Sequence, residues 1–401
     1  MKNSFSFDIQ KEHPNGLARA GVIHTPHGDI KTPAFIVVGT KATVKALTPE
    51  QIASTGAQAV LANAYHLYLQ PGPETVDKAG GVGSFMNWSG PTFTDSGGFQ
   101  VLSLGVGYKK VINMNADANE QMATVRKGER LAHVDDDGVS FKSHLDGSLH
   151  RFTPESSIAI QHQLGADIMF AFDECTSIAQ PYNYQKMSLE RTHEWADRCI
   201  KEHTRQTKQR KNKPYQALFG VIQGANHQDL REEAASYMGN LPFDGYGIGG
   251  ALEKQKLGTI VKWVNDLLPK NKPKHLLGLS EPDDIFIGIE NGADTFDCVS
   301  PARIGRNGSI YTVNGRFTIK KSVYANDFSP LVDGCSCYTC TNFTKGYINH
   351  LFRAGERLAA TLSTIHNEYF IVQLVNQIRD SILNDNFDTF KNTWLMRYYG
   401  K

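Results

Sequence analysis

The stretch "ADIMFAFDE", residues 166–174, opens on a small residue, runs through apolar side chains and stops on two acids. Apolar runs of this kind, with little polar alternation, suit strands buried on both faces, as in a parallel sheet covered by helices. The acids then lie at the strand's C-terminal end. Upstream the same design recurs in "PAFIVVGT" (33–40), "QAVLANAYH" (58–66) and "PTFTDSGG" (91–98). Downstream it recurs in "QALFGVIQG" (216–224), "YGIGG" (246–250), "HLLGLS" (275–280) and "DTFDCVS" (294–300).

These are eight candidate strands, and helix signals lie between them. "TPEQIASTG" (48–56) and "TPESSIAIQHQLG" (153–165) open on Thr-Pro-Glu and close on glycine, and "EPDDIFIGIENG" (281–292) has helical spacing. Eight strand–helix units predict an α/β chain folded as a (β/α)8 TIM barrel, whose active site lies at the C-terminal ends of its strands. A doubly wound open sheet is the alternative. "GYGIGG" (245–250), however, lacks the strand–loop–helix context of a dinucleotide fingerprint.

The chain has 401 residues, 40% of them hydrophobic and 21% charged, with a net charge of +1, which is the composition of a soluble globular protein. No global field announces a nucleic-acid partner, so any polyanion site must be a local patch. The basic run 198–213 reads as a solvated helix end and loop. No run has signal-peptide character or could span a bilayer, which makes the cytoplasm the expected location and excludes a membrane partner. Cys175, Cys199 and Cys298 are dispersed, whereas Cys335, Cys337 and Cys340 cluster in "CSCYTC". In a reducing compartment such a cluster favours a metal over disulfides. Three thiolates and an imidazole make a closed tetrahedral zinc site, which is structural, and spacing alone leaves both His350 and His366 as the fourth ligand. The segment 342–366 reads as helix.

The predicted strand ends display Asp95 with Gly97-Gly98, Asp173-Glu174, Gln223-Gly224, Gly249-Gly250, and Asp297. One such acid alone suits a cap or an ion pair. Three, with an amide and two glycine pairs, point to a site. Two carboxylates across a pocket support retaining substitution at an acetal-like carbon, one as nucleophile and the other moving a proton. Asp173 and Gln223 offer the acceptors and donors that read the edge of a planar heterocycle, so the carbon would carry a base. Arg303 and Arg306 in "CVSPARIGRNG" (298–308) are either solvated loop arginines or phosphate contacts.

Together, "TDSGGFQV", "SHLDGS", "GADIMFAFDECT", "ALFGVIQG", "FDCVSPARIGRNG" and "CSCYTC" with "STIHN" resemble the queuine/guanine tRNA-ribosyltransferases (tRNA-guanine transglycosylases) of bacterial type. The resemblance covers nearly the whole chain. It implies exchange of guanine at the wobble position of tRNA for a 7-substituted 7-deazaguanine, 7-aminomethyl-7-deazaguanine or queuine, through a covalent tRNA–enzyme intermediate. By resemblance, Asp297 is the nucleophile and Asp95 the general acid/base. Ser96, Gly97, Gly98, Phe99, Asp173, Gln223 and Gly250 hold the base. The segments Gly278, Leu279, Ser280, Glu281, Pro282, Asp283, Asp284 and Ala302, Arg303, Ile304, Gly305, Arg306 contact tRNA. Cys335, Cys337, Cys340 and His366 bind one structural Zn2+, and the enzyme acts as a homodimer. The expected division is a catalytic barrel over 1–325, a zinc-binding subdomain over 326–370 and a C-terminal helix over 371–401 packing back on the barrel.

Two departures accompany the resemblance. Bacterial relatives usually follow Gly249-Gly250 with Leu-Ala-Val-Gly-Glu, whereas this chain continues "ALEKQ", which leaves the choice of base substituent open and offers Glu253 as partner for an amine. The segment around 105–135 is longer than the family leads one to expect and reads as a surface excursion or a lid. A non-catalytic tRNA-binding partner subunit is the alternative function. The presence of both Asp95 and Asp297 argues against it.

Overall fold

Along each apolar run, odd and even positions must face opposite ways, so an all-apolar strand serves two cores at once. The computed structural model, which describes residues 5–101, 132–250 and 252–400, shows this division. In chain order the strands are β1 (Ser6–Glu12), β2 (Arg19–Thr25), β3 (Gly28–Thr32), β4 (Ala34–Val38), β5 (Val60–Ala62) and β6 (Thr92–Thr94). They continue with β7 (Ala132–Asp135), β8 (Gly138–Lys142), β9 (Leu149–Phe152), β10 (Ile168–Phe170), β11 (Ala217–Ile222) and β12 (Gly245–Ile248). The last are β13 (Lys274–Leu276), β14 (Thr295–Cys298), β15 (Ser309–Thr312) and β16 (Gly315–Thr318).

Strands β4, β5, β6 and β10 to β14 close into a parallel barrel in sequence order, β14 pairing back to β4. All eight apolar runs thus become barrel strands. Ile36, Leu61, Phe93, Phe170 and Phe219 pack together inside the barrel, while their neighbours Phe35, Val60, Met169 and Leu218 pack outward under the helices. Helix starts follow the sequence signals. Thr48 and Thr153 each form a capping box ahead of Pro49–Ser54 and Pro154–Leu164, and Gly165 stops the second helix at φ 70°.

The antiparallel sheet β1–β3 was not anticipated from sequence, and it decides which mouth of the barrel is open. Ile23 and Ile30 join the interior core, and the Phe5 and Phe219 rings meet edge-on with centroids 5.9 Å apart. Arg19 pairs at 2.6 Å with Asp294, just before β14, and His27 lies 2.7 Å from Asp167, just before β10. These contacts seal the N-terminal ends of the strands. The expected site lies at the opposite, C-terminal ends.

Residues 342–366 form two helices rather than one. Gly355 (φ 74°) ends Lys345–Ala354 in the left-handed conformation that favours glycine, and Arg357–Leu383 then runs unbroken past residue 370. Phe387–Tyr399 follows, its Trp394 ring 5.6 Å from Phe286 of the helix Pro282–Glu290. Of the segment around 105–135, residues 102–131 lie outside the described residues. The rest enters the small sheet β7–β9, docked on Tyr182–Gln209 by a 2.7 Å hydrogen bond from Trp195 Nε1 to the Asp136 carbonyl. Among the described residues no helix is long and apolar enough to cross a membrane.

Candidate active site

Strand β14 carries Thr295 and Asp297 on one face and buries Phe296 on the other. Asp297 Oδ1 accepts from His275 Nε2 at 2.9 Å and from the Gly278 amide at 3.1 Å. Its side chain keeps 14% of its surface, enough to meet a ligand at the barrel mouth. Sequence reasoning missed His275, which opens an apolar run and carries no motif.

Asp95 follows β6 directly, and the β5–β6 register, Ala62 opposite Thr94, brings Asn63 beside it. Its carboxylate accepts from Asn63 Nδ2, from the Ala64 amide at 2.7 Å and from Gln100 Nε2 at 2.7 Å. Burial pushes the carboxyl up to about 6, against the pull of those three donors, and the Asp297 charge adds to the rise. Asn63 and Gln100 were also not singled out from sequence.

Asp173, beyond β10, accepts from Gln223 Nε2 at 2.6 Å and from Ser96 Oγ at 3.2 Å. Burial raises this carboxyl to about 6 as well, with Asp95 and Glu174 adding repulsion to what Gln223 and Ser96 offset. Gln223 Oε1 is buried and has no donor among the described residues. An orphaned acceptor beside a carboxylate of raised pKa is where a ligand N–H would bind. Gly250 (φ 87°) lies against that oxygen, and a Cβ there would collide with it. Ser96 Oγ also accepts from the Gly98 amide at 3.2 Å. The direction a Cβ would take from Gly97 (φ 80°) is filled by Phe152, at 2.8 Å, so packing alone requires this glycine. Phe99 is half-buried in the helical turn that follows.

Arg231 is a further residue that the sequence did not reveal. Fully buried, it donates to the carbonyls of Ala225 (2.8 Å), Ile222 (3.0 Å) and Gly249 (2.9 Å), joining the loops after β11 and β12. Burial lowers its guanidinium to about 10.

Two expected RNA-contacting segments flank this mouth. Residues Ser300–Arg306 form a short helix rather than a loop, with Pro301 in its first turn. Arg303 is exposed and Arg306 half-buried on one side of it, while Ala302 and Gly305 are buried against Arg357–Leu383 and Ile304 is half-buried. In the other segment Gly278 is exposed, and Leu279, Ser280, Pro282 and Asp284 are buried. Glu281 pairs with Arg316 at 3.0 Å, and Asp283 with Lys254 at 2.9 Å. Glu253 pairs with Lys256 at 3.2 Å, so its carboxylate already has a cation.

Cys335, Cys337, Cys340 and His366 come together with all four ligand atoms within 4.8 Å of one another. Tetrahedral zinc, with Zn–S about 2.3 Å and Zn–N about 2.0 Å, sets nitrogen and sulfur about 3.5 Å apart. His366 Nδ1 lies 3.7, 3.5 and 3.3 Å from the three sulfurs. Its Nε2 lies 2.8 Å from the Tyr311 carbonyl; donating there leaves Nδ1 as the metal-facing lone pair. The donor set fits zinc and leaves no open position.

A family model described as Queuine tRNA-ribosyltransferase matches residues 15–400. The chain belongs to this family. A queuine tRNA-ribosyltransferase of Caldanaerobacter subterraneus subsp. tengcongensis is 44% identical over 400 residues, covering 99% of this chain and 98% of the relative. One of Thermoanaerobacter pseudethanolicus is 45% identical over 398 residues, covering 98% of each. One of Streptococcus gordonii is 43% identical over 394 residues, covering 97% of this chain and 95% of the relative. Queuine tRNA-ribosyltransferases carry a structural zinc, and the Cys3His group of this chain is built for it.

Proposed function

We propose that the chain is a tRNA-guanine transglycosylase acting at the wobble guanine, with Asp297 as nucleophile and Asp95 as acid/base. The observation that carries this reading is the pair of carboxylates at one barrel mouth, one held by two N–H donors and the other raised to about 6 by burial. Asp297 forms a bond to ribose C1′ as the C1′–N9 bond breaks, and guanine N9 takes the Asp95 proton. Asp95, now ionised, removes the N9 proton of the incoming base, which displaces Asp297 and restores the original configuration. A carboxyl near 6 can hold either form around neutral pH, as both half-reactions require.

Asp173, Gln223 and Gly250 read the base, with Ser96, Gly97 and Gly98 shaping the pocket and Phe99 stacking. The Gln223 Oε1 left without a donor among the described residues supports this assignment. Arg303 and Arg306 would take phosphates of the anticodon loop, where an unstacked base is readily presented. The buried members of the two flanking segments, among them Leu279, Ser280, Asp284, Ala302 and Gly305, support the backbone that RNA would touch. The zinc ligands hold the C-terminal helices in place and move no proton. The incoming base is 7-aminomethyl-7-deazaguanine or queuine. The Glu253–Lys256 pair weakens the case for Glu253 as an amine partner. The enzyme acts in the cytoplasm as a homodimer on tRNA.

The test is exchange of labelled guanine into a tRNA bearing guanine at the wobble position. Wild-type protein should incorporate label and Asp297→Asn should not. Tight tRNA binding without exchange by zinc-loaded wild type would establish the non-catalytic partner reading instead.

A further inference from the structure

The nucleophilic role of Asp297 leaves its neighbour unexplained. His275 has no exposed surface and lies among the interior rings, 5.7 Å from Phe93 and 5.2 Å from Phe170. An imidazole is costly to bury unless both nitrogens are paired. Both are. Nε2 lies 2.9 Å from Asp297 Oδ1, and Nδ1 lies 2.8 Å from Thr295 Oγ1. The parallel register sets His275 opposite Thr295, and Asp297, two residues on, shares that face. An ionised carboxylate can only accept, so Nε2 carries the proton, and in the neutral imidazole Nδ1 then accepts from the threonine hydroxyl.

We infer that His275, held as the Nε2–H tautomer by the acceptor-only Asp297 carboxylate and paired at Nδ1 with Thr295, is a positioning residue that occupies Oδ1 of Asp297 and leaves Oδ2 to attack C1′. The inference rests on the transglycosylase reading and adds to it. Gly278 donates to the same oxygen, whereas Oδ2 has no donor among the described residues. In the first step an Oδ2 lone pair forms the bond to C1′ while the C1′–N9 pair leaves on guanine. Oδ1 becomes the carbonyl of an ester, loses charge, and its two N–H bonds weaken. In the second step the N9 pair of the incoming base forms the new bond, the C1′–Oδ2 pair returns to Asp297, and charge regrows on Oδ1 against both donors. The imidazole keeps its proton throughout. Such a donor makes Asp297 a better leaving group and a slightly weaker nucleophile, so its effect falls mainly on the second step.

The experiment follows the two steps separately, by formation of the tRNA adduct and by its discharge on adding guanine. His275→Phe should form adduct within a few-fold of the wild-type rate and discharge it about 100-fold more slowly, so that adduct accumulates. His275→Gln, which offers an amide N–H near the lost Nε2–H, should recover most of the discharge rate. Unchanged discharge in the Phe variant, or equal slowing in both, overturns the inference. If the Phe variant does not fold, nitrogen NMR of the wild-type ring decides. A protonated Nε2 with a bare Nδ1 at neutral pH supports the assignment, and a protonated Nδ1 overturns it. Wild type that forms no adduct overturns the transglycosylase reading itself, whereas wild-type adduct with normal discharge in the Phe variant overturns this inference alone.

Discussion

Asp173 bears a clear cost of burial at a single residue, which the proposed base-reading role would explain. Its folded carboxyl titrates near 6, well above the value of 3.8 usual for an unfolded chain. The folded state therefore holds the proton more tightly, and stability is lost as pH rises from about 4 through about 6. Above that the buried charge costs up to about 3 kcal/mol. Asp173→Asn should raise the melting temperature of the free protein at pH 7.5, and thermal scans at pH 4 should show no such gain, while guanine exchange collapses. Lower stability of the variant at pH 7.5 would contradict this account of the site. The placement of Asp173 and Asp95 beyond strand ends was legible in the sequence because each ends a strand-like run on an acid. The contacts of Asn63, His275 and Arg231 were not, since they depend on which strand ends lie side by side, and a closed barrel sets that across many residues of chain.

At the scale of elements, the helix Ser300–Arg306 and the zinc knuckle each make a separable contribution. Arg303 is exposed, and its one hydrogen bond among the described residues is to Ser300 Oγ at 3.2 Å, so it is free to take a phosphate. Arg303→Ala should lower tRNA affinity and reduce the slope of log K against log salt by about 0.7, as read from binding titrations at several salt concentrations. An unchanged slope would place the tRNA backbone elsewhere. The zinc cluster is tied to β15 through His366 and the Tyr311 carbonyl. Chelation, or His366→Ala, should lower the melting temperature by at least about 5 °C. It should also expose residues near 335–345 to protease and leave any residual exchange metal-independent. Loss of exchange in folded, metal-free protein that still binds tRNA would give the zinc a chemical role. The three cysteines were plain from spacing, whereas the histidine was settled by resemblance, because His350 suits the spacing equally well. The break at Gly355 was hidden by good helix formers on either side, where one left-handed glycine outweighs propensity.

In the whole molecule, the closed N-terminal mouth leaves the other face for the proposed chemistry. The eight strands could be read from their apolar runs, but β1–β3 could not. Those strands alternate or carry charge, as in the alternation of exposed and half-buried residues along β1, and their packing partners are distant in sequence. Arg19 and Asp294 anchor this sheet in a nearly dry setting. Arg19→Ala leaves the Asp294 charge buried and should cost about 3–5 kcal/mol in denaturant melts, with exchange per folded molecule unchanged. A loss of exchange in the folded variant would mean that the plug shapes the site as well as closing the barrel. The central claim is that Asp297 forms a covalent bond to tRNA at the open mouth. Mass spectrometry of the adduct isolated under denaturing conditions tests it most directly. A nucleotide mass on the peptide containing Asp297, absent from Asp297→Asn, is the predicted result. The same mass on Asp95, or an adduct that persists in the Asn variant, would contradict it.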